Sequence, residues 1–139
     1  MKKELLQLRV GLTGTAEMLV ESRHTALQVG SGRQKILATP VMVTLMEVAA
    51  QNAVDGLLPD DCQTIGTRLD VQHLAATPEG MQVNASAQLV EIRARTLVFQ
   101  VIVSDENEMI GKGMHERTLI APASFTRLLN RKAAKRVVR

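Results

Sequence analysis

Residues 38–58, Ala38 to Leu58, constrain the fold of this chain more than any other part. They read as one long buried helix over about 39–58. Thr39 suits an N-cap, and Pro40 fits the first helical position, where its missing N–H costs nothing. Met42, Leu45, Met46, Ala49, Ala53 and Leu57 recur at helical spacing and form one apolar stripe. Gly56 and Pro59 mark the end. The polar side is thin: Thr44, Gln51, Asn52 and Asp55. A helix this apolar must be wrapped by other structure, most simply a sheet.

Glu47 is out of place in that helix. Its angular position falls between Val43, Ala50 and Val54, at the edge of the apolar face. No Lys or Arg occurs from Ile36 to Thr67, so no cation three or four residues away can pair with it. Either the carboxylate sits at a wet rim, or it has a distant partner or a chemical task.

After the helix and a turn at Pro59–Asp61, the apolar period changes from helical to two. Ile65, Thr67, Leu69, Val71 and His73 fall on one face of a strand by parity. Thr77–Gly80 is a turn, and Met81, Val83, Ala85, Ala87 and Leu89 alternate with polar residues in a half-buried strand. Leu97–Val103 is almost wholly apolar, which predicts a central strand; Asp105–Glu108 is a hairpin loop, and Met109–Ala121 is a last strand. Before the helix, residues 13–20 predict a first strand, and 21–34 mostly loop with a short extended piece at Thr25–Val29. The order is strand, long helix, then four strands joined by short turns. That is an α+β domain, one long helix on a curved antiparallel sheet.

Charge separates the body from the tail. All 14 acids lie at or before Glu116, set against eleven bases at or before Arg117, while six bases follow Pro122. We divide the chain into a domain at 1–125 and a basic helix or tail at 126–139, with Phe125, Leu128, Leu129 and Val137 as weak apolar anchors. With two Phe and no Tyr or Trp, no base-stacking platform exists, and no helix-turn-helix pattern is visible; a nucleic-acid partner is not expected. A single cysteine, Cys62, permits no intrachain disulfide, and its acidic neighbours argue against a nucleophilic thiolate. His24, His73 and His115 carry no metal-site spacing, so no metal is expected. No apolar run approaches the roughly 18 residues of a membrane span, and no signal-peptide pattern opens the chain, which predicts a cytoplasmic protein with no membrane partner.

Three residues attract chemistry on pattern alone, each with a plainer alternative. His73 is either a core-edge histidine or a base on the helix-facing side of its strand. Thr39 is a cap, whatever else it does. Gly66 permits either a close backbone approach or a bulge.

Together, four segments resemble the hot-dog-fold acyl-CoA thioesterases of the fluoroacetyl-CoA thioesterase type. They are Thr39 with Glu47 eight residues on, Ile65-Gly66-Thr67, Val71-Gln72-His73-Leu74-Ala75-Ala76-Thr77-Pro78, and Ile110 through His115-Glu116-Arg117. The resemblance covers about residues 10–125. It implies a helix wrapped by an antiparallel sheet, and a homodimer, or a tetramer built from it, with sites at the chain interface. It also implies hydrolysis of a small acyl-CoA thioester, with CoA entering as substrate and no cofactor. Its catalytic positions fall on Thr39, Glu47 and His73, and its substrate-binding positions on Gly66, whose backbone N–H would polarise the carbonyl, and Arg117. Either Thr39, Glu47 or a water is then the nucleophile. Pro40 stands where the fluoroacetyl enzyme has glycine, and Gln34–Ala38 lacks its aromatics, so selectivity for a fluorinated acyl group is not implied. The alternative function is a non-catalytic module of the same fold that binds or senses acyl-CoA.

Overall fold

The computed structural model describes residues 7–136. In chain order it contains β1 (Thr13–Leu19), a 3-10 turn at Ser22–His24, α1 (Ala26–Val29), α2 (Thr39–Val54), a 3-10 turn at Asp55–Leu57, β2 (Gln63–His73), β3 (Gln82–Arg93), β4 (Thr96–Ser104), β5 (Met109–Ile120) and α3 (Pro122–Ala134). The strands form one five-stranded sheet in the order β1-β3-β4-β5-β2, every pair antiparallel. The nearly all-apolar β4 is the middle strand, as its composition predicts. β1 and β2 are the two edges.

The long helix α2 lies on this sheet through Met42, Leu45, Met46, Ala49, Ala50, Ala53 and Val54, all buried. Facing them are Val83, Ala85, Ala87 and Leu89 of β3 and Leu97, Phe99, Val101 and Val103 of β4. Each large buried side chain of this kind contributes about 1.5–3 kcal/mol. The helix and sheet can meet closely because β1 has glycine at the crossing. A Cβ at Gly14 would run into the backbone of Ala49 and Ala53. Cys62 is buried in the same apolar core.

Four local expectations change. The N-cap is Ala38 rather than Thr39, and it makes no side-chain cap; Thr39 is already helical, so its hydroxyl is left for another partner. The α-helix ends at Val54 and passes into a 3-10 turn, which takes Leu57 out of the buried stripe. Thr25–Val29 is a capped helical turn, Thr25 accepting from the Gln28 N–H, although Thr25 also bridges to Leu37. Finally, β2 does not keep one parity. Its register against β5 shifts between Gly66 and Arg68, so Thr67 bulges out of the ladder. One extra residue turns the face over: Thr64 and Gly66 point to the helix, together with Leu69, Val71 and His73 beyond the bulge, and Ile65 does not.

β2 is also the exposed edge. Most of its residues are exposed or half-buried, and Leu69 is 43% exposed. α3 has no buried residue; Leu128 and Leu129 are 51% and 49% exposed. The boundary at 125/126 therefore falls inside a helix that begins at Pro122, and Val137 lies outside the described residues. Among the described residues, no helix is long and apolar enough to cross a membrane.

Candidate active site

Two polar groupings lie between α2 and the β2 side of the sheet. The first joins the start of α2 to the end of β2. Thr39 Oγ1 and His73 Nδ1 are 2.8 Å apart. Burial lowers the His73 pKa, opposed more weakly by the backbone of Ala75, so the ring is neutral near pH 7. Nε2 is buried and has no hydrogen-bond partner of good geometry. A neutral ring with its proton on Nε2 leaves Nδ1 free to accept the Thr39 hydroxyl proton.

The second grouping is built around Arg117 of β5. Its guanidinium is 5% exposed and is spent on internal partners. Nε donates to Thr64 Oγ1 at 2.8 Å, and a terminal nitrogen donates to the Thr64 carbonyl at 3.1 Å. The other terminal nitrogen lies 3.4 Å from Glu47 Oε2 and 3.2 Å from His115 Nε2. Burial lowers the Arg117 pKa, and Glu47, then Asp55, pull it back. The side chain remains a cation, since a guanidinium keeps its proton in proteins and Glu47 favours the charged form. The missing cation for Glu47 thus comes from a strand seventy residues further on. Partial loss of water raises the pKa of Asp55, with Arg117 partly offsetting it.

Gly66 completes this grouping. A Cβ there would stand 2.5 Å from Glu47 Oε2. A side chain there would push the Glu47 carboxylate aside, because the carboxylate rests against the strand backbone. Arg117, expected to bind substrate, is held inside the protein as the partner of Glu47. His115 and Thr64 were not singled out from sequence. The available signal was alternation on β5, which places His115, Arg117 and Leu119 together on the buried face.

The two groupings do not meet within one chain. Thr39 and Glu47 are eight residues apart on one straight helix, roughly 12 Å along its axis. Gly66 and His73 are separated by roughly 20 Å of extended strand. A surface groove of about 690 Å³ lies on the opposite flank of α2 against β1, lined by Ala16, Met18, Val41, Leu45 and Val48. It includes neither grouping; the convergent polar side chains, not the size of the groove, mark the site. Among the described residues, no cluster of His, Cys, Asp and Glu could hold a metal ion.

A sequence model described as fluoroacetyl-CoA-specific thioesterase matches residues 20–123. The chain belongs to this family. It is 36% identical over 98 residues to the fluoroacetyl-CoA thioesterase of Streptantibioticus cattleyicolor, an alignment covering 70% of each protein. Its structure is similar to the solved fluoroacetyl-CoA thioesterase FlK, with a TM-score of 0.84 at 31% identity over 90% of this chain and 97% of that one. A threonine variant of FlK was solved with acetyl-CoA and matches at a TM-score of 0.85, 30% identity, over 90% of this chain and 98% of that one. A Thermus thermophilus protein described as a thioesterase superfamily member matches at 0.80 and 26% identity, over 91% of this chain and 97% of that one. The fold is the hot-dog fold of the thioesterases, and the chain is a thioester hydrolase.

Proposed function

We propose that this protein hydrolyses a small acyl-CoA thioester in a homodimer, at two sites each assembled from both chains. The observation that carries the reading is the 2.8 Å contact between Thr39 Oγ1 and a histidine kept neutral by burial. A hydroxyl held against a neutral imidazole is the unit of nucleophilic acyl transfer. Thr39 Oγ attacks the thioester carbonyl carbon, and its proton passes to His73 Nδ1. The carbonyl oxygen becomes an oxyanion, for which the bare backbone at Gly66 supplies an N–H donor. The C–S bond breaks, and the CoA thiolate takes the proton from His73. Water then attacks the acyl-threonine ester, losing its proton to His73 with Glu47 orienting it. Collapse returns the proton to Thr39 and releases the carboxylate.

The dimer follows from separation and from the edge. Thr39 and Glu47, roughly 12 Å apart along one helix, are too far for direct contact in one chain, so either substrate and water span the gap or the site is shared, and the shared site is the reading favoured here. β2 is long, exposed and unpaired on one side, an arrangement that proteins cover or pair. Antiparallel pairing of two β2 strands about a two-fold axis near Leu69 and Asp70 would set Gly66 of one copy opposite His73 of the other. Pairing would also cover Leu69. The Pro40 and Gln34–Ala38 departures leave fluoroacetyl itself without a structural argument, so the substrate class is a small acyl thioester of CoA.

Two experiments test the reading. The first is thiol release from a panel of acyl-CoA esters; no turnover on any member, with binding retained, would make the protein a sensor rather than a hydrolase. The second mixes Thr39→Ala and Glu47→Ala proteins, each inactive alone. Subunit exchange should restore up to about a quarter of wild-type activity, because random pairing makes half the dimers mixed and each carries one intact site. Exchange confirmed by mass without recovery would place both residues in a single-chain site.

A further inference from the structure

His115 is fully buried and belongs to no catalytic step described above. Its ring has one possible hydrogen-bonding state. Nδ1 is 2.8 Å from the Arg68 carbonyl oxygen, which can only accept, so Nδ1 carries the proton. Nε2 of the neutral ring is then an acceptor, and the Arg117 guanidinium donates to it at 3.2 Å. That same guanidinium nitrogen is the one 3.4 Å from Glu47 Oε2. Arg68 is the first residue paired again after the Thr67 bulge, so the ring is tied to the kinked part of β2. A Cβ at Gly66 would lie 3.3 Å from His115 Cε1, so the imidazole is the floor under Gly66. Across the ladder the ring lies near its pairing partner Phe99 of β4, tilted by 30°, with 6.4 Å between ring centroids. Burial requires both ring nitrogens to be satisfied; what sets this ring apart is its partners, one on the backbone of the kinked part of β2 and one on the cation that holds Glu47.

We propose that His115 is a positioning residue: as a neutral acceptor anchored on Arg68, it fixes the Arg117 guanidinium and through it the Glu47 carboxylate beside Gly66. The proposal rests on the assignment of Glu47 and Gly66 to the site. Substituting asparagine keeps a donor at the Nδ1 position for Arg68 and removes the acceptor for Arg117. Substituting glutamine places a carbonyl oxygen near the Nε2 position and restores that acceptor. Loss of one hydrogen bond to a charged group corresponds to about tenfold in rate.

The experiment measures kcat and KM for the best thioester with His115→Asn, His115→Leu and His115→Gln, each alone and combined with Glu47→Gln. The expected result for the asparagine and leucine variants is kcat lower by about tenfold or more with KM within about threefold. The glutamine variant should recover most of kcat. In the Glu47→Gln background the same His115 substitutions should cost less than about threefold, because their effect passes through Glu47. Multiplicative losses in the double variants would assign His115 to packing alone and overturn the proposal, as would a wild-type kcat for His115→Asn. Either of the asparagine and leucine variants that folds serves in the cycle. If neither folds, a tenfold loss in the glutamine variant overturns the proposal and retention of kcat supports it. A Glu47→Gln protein with full activity would instead overturn the site assignment itself, a separate outcome.

Discussion

The Arg117 grouping and the Thr39–His73 pair are built on opposite plans. Around Arg117, β2, β5 and α2 converge on one buried cation; Thr64, His115 and Glu47 are tied to it through four contacts of 2.8–3.4 Å, and His115 is held in turn by the Arg68 carbonyl. The Thr39–His73 pair has a single contact, at a helix start and a strand end, near an unpaired edge. The first grouping is part of what holds the fold together, so its substitution costs stability as well as function. The second is attached to the fold without supporting it, so under the proposed mechanism its substitution should cost function with little stability. Under the proposed mechanism that division is useful: the oxyanion and carboxylate side needs a rigid setting, whereas the nucleophile must accept and release an acyl group.

The largest effect expected is on chemistry. Glu47→Gln and His73→Ala should each lower kcat/KM by about 10²-fold or more, the usual size of an acid–base or electrostatic contribution. Steady-state thiol release on folded variants measures it, and near wild-type rates would remove both residues from the site. The next effect separates the two groupings by stability. Arg117→Ala leaves Glu47 beside a buried gap, and breaking a buried pair costs about 3 kcal/mol or somewhat less here, since the Glu47 side chain is 32% exposed and partly screened. Thr39→Ala removes one hydroxyl at the surface end of a helix and should change stability by no more than about 0.5 kcal/mol. Thermal or urea unfolding of the two variants decides it; equal losses would mean that the groupings do not differ as described.

A smaller effect follows from the two neutral histidines. Burial is the first cause of the lowered pKa at both His73 and His115. At His115 the Arg68 carbonyl opposes burial, Arg117 adds to it, and Glu47 and Glu116 oppose it. A folded-state pKa below the unfolded value means that the unfolded chain binds more protons once pH falls below about 6.5. Stability is therefore level above that pH and declines below it, until the folded histidines also titrate. The Thr39–His73 pair stays competent under the same shift, so the acid limb of kcat/KM should lie below about 6.5. A limb above that value would show that His73 is not the base, or is not buried when substrate binds.

The strand and helix pattern was legible because burial is periodic: β3 alternates as written, the almost wholly apolar β4 is central, and the stripe of α2 up to Ala53 is the one that packs. What escaped was whatever a single insertion or a distant residue decides. The parity of β2 fails at Thr67, because a bulge is a property of pairing with β5 and leaves no mark on β2 alone. Ile65 was consequently placed on the wrong face and Thr64 overlooked. The isolation of Glu47 was visible as a stretch without cations, but which cation answers it depends on how β5 lies against β2. Arg117 could be noticed only through the family segment that contains it. Thr39 was read as a cap by residue type, yet the helix begins one residue earlier, and that shift is what releases its hydroxyl to His73.

The smallest effect should come from α3, which supports neither grouping. It buries no residue, and none of its described cations takes part in an ion pair with the domain. Little apolar surface is lost to water when it is removed, so the hydrophobic contribution is small. Five cations, Arg127, Arg131, Lys132, Lys135 and Arg136, lie within it or just after it with no acid among them, and they repel one another. Deleting residues 122–139 should leave the folded domain soluble, with a melting temperature within a few degrees of the full chain, about 1 kcal/mol or less. Loss of these charges should raise KM for CoA thioesters at low salt and leave it unchanged at high salt, because screening already removes long-range attraction to the CoA phosphates there. A chain that precipitates or melts far lower on truncation would mean that α3 is packed in the assembled protein, on the partner chain rather than its own.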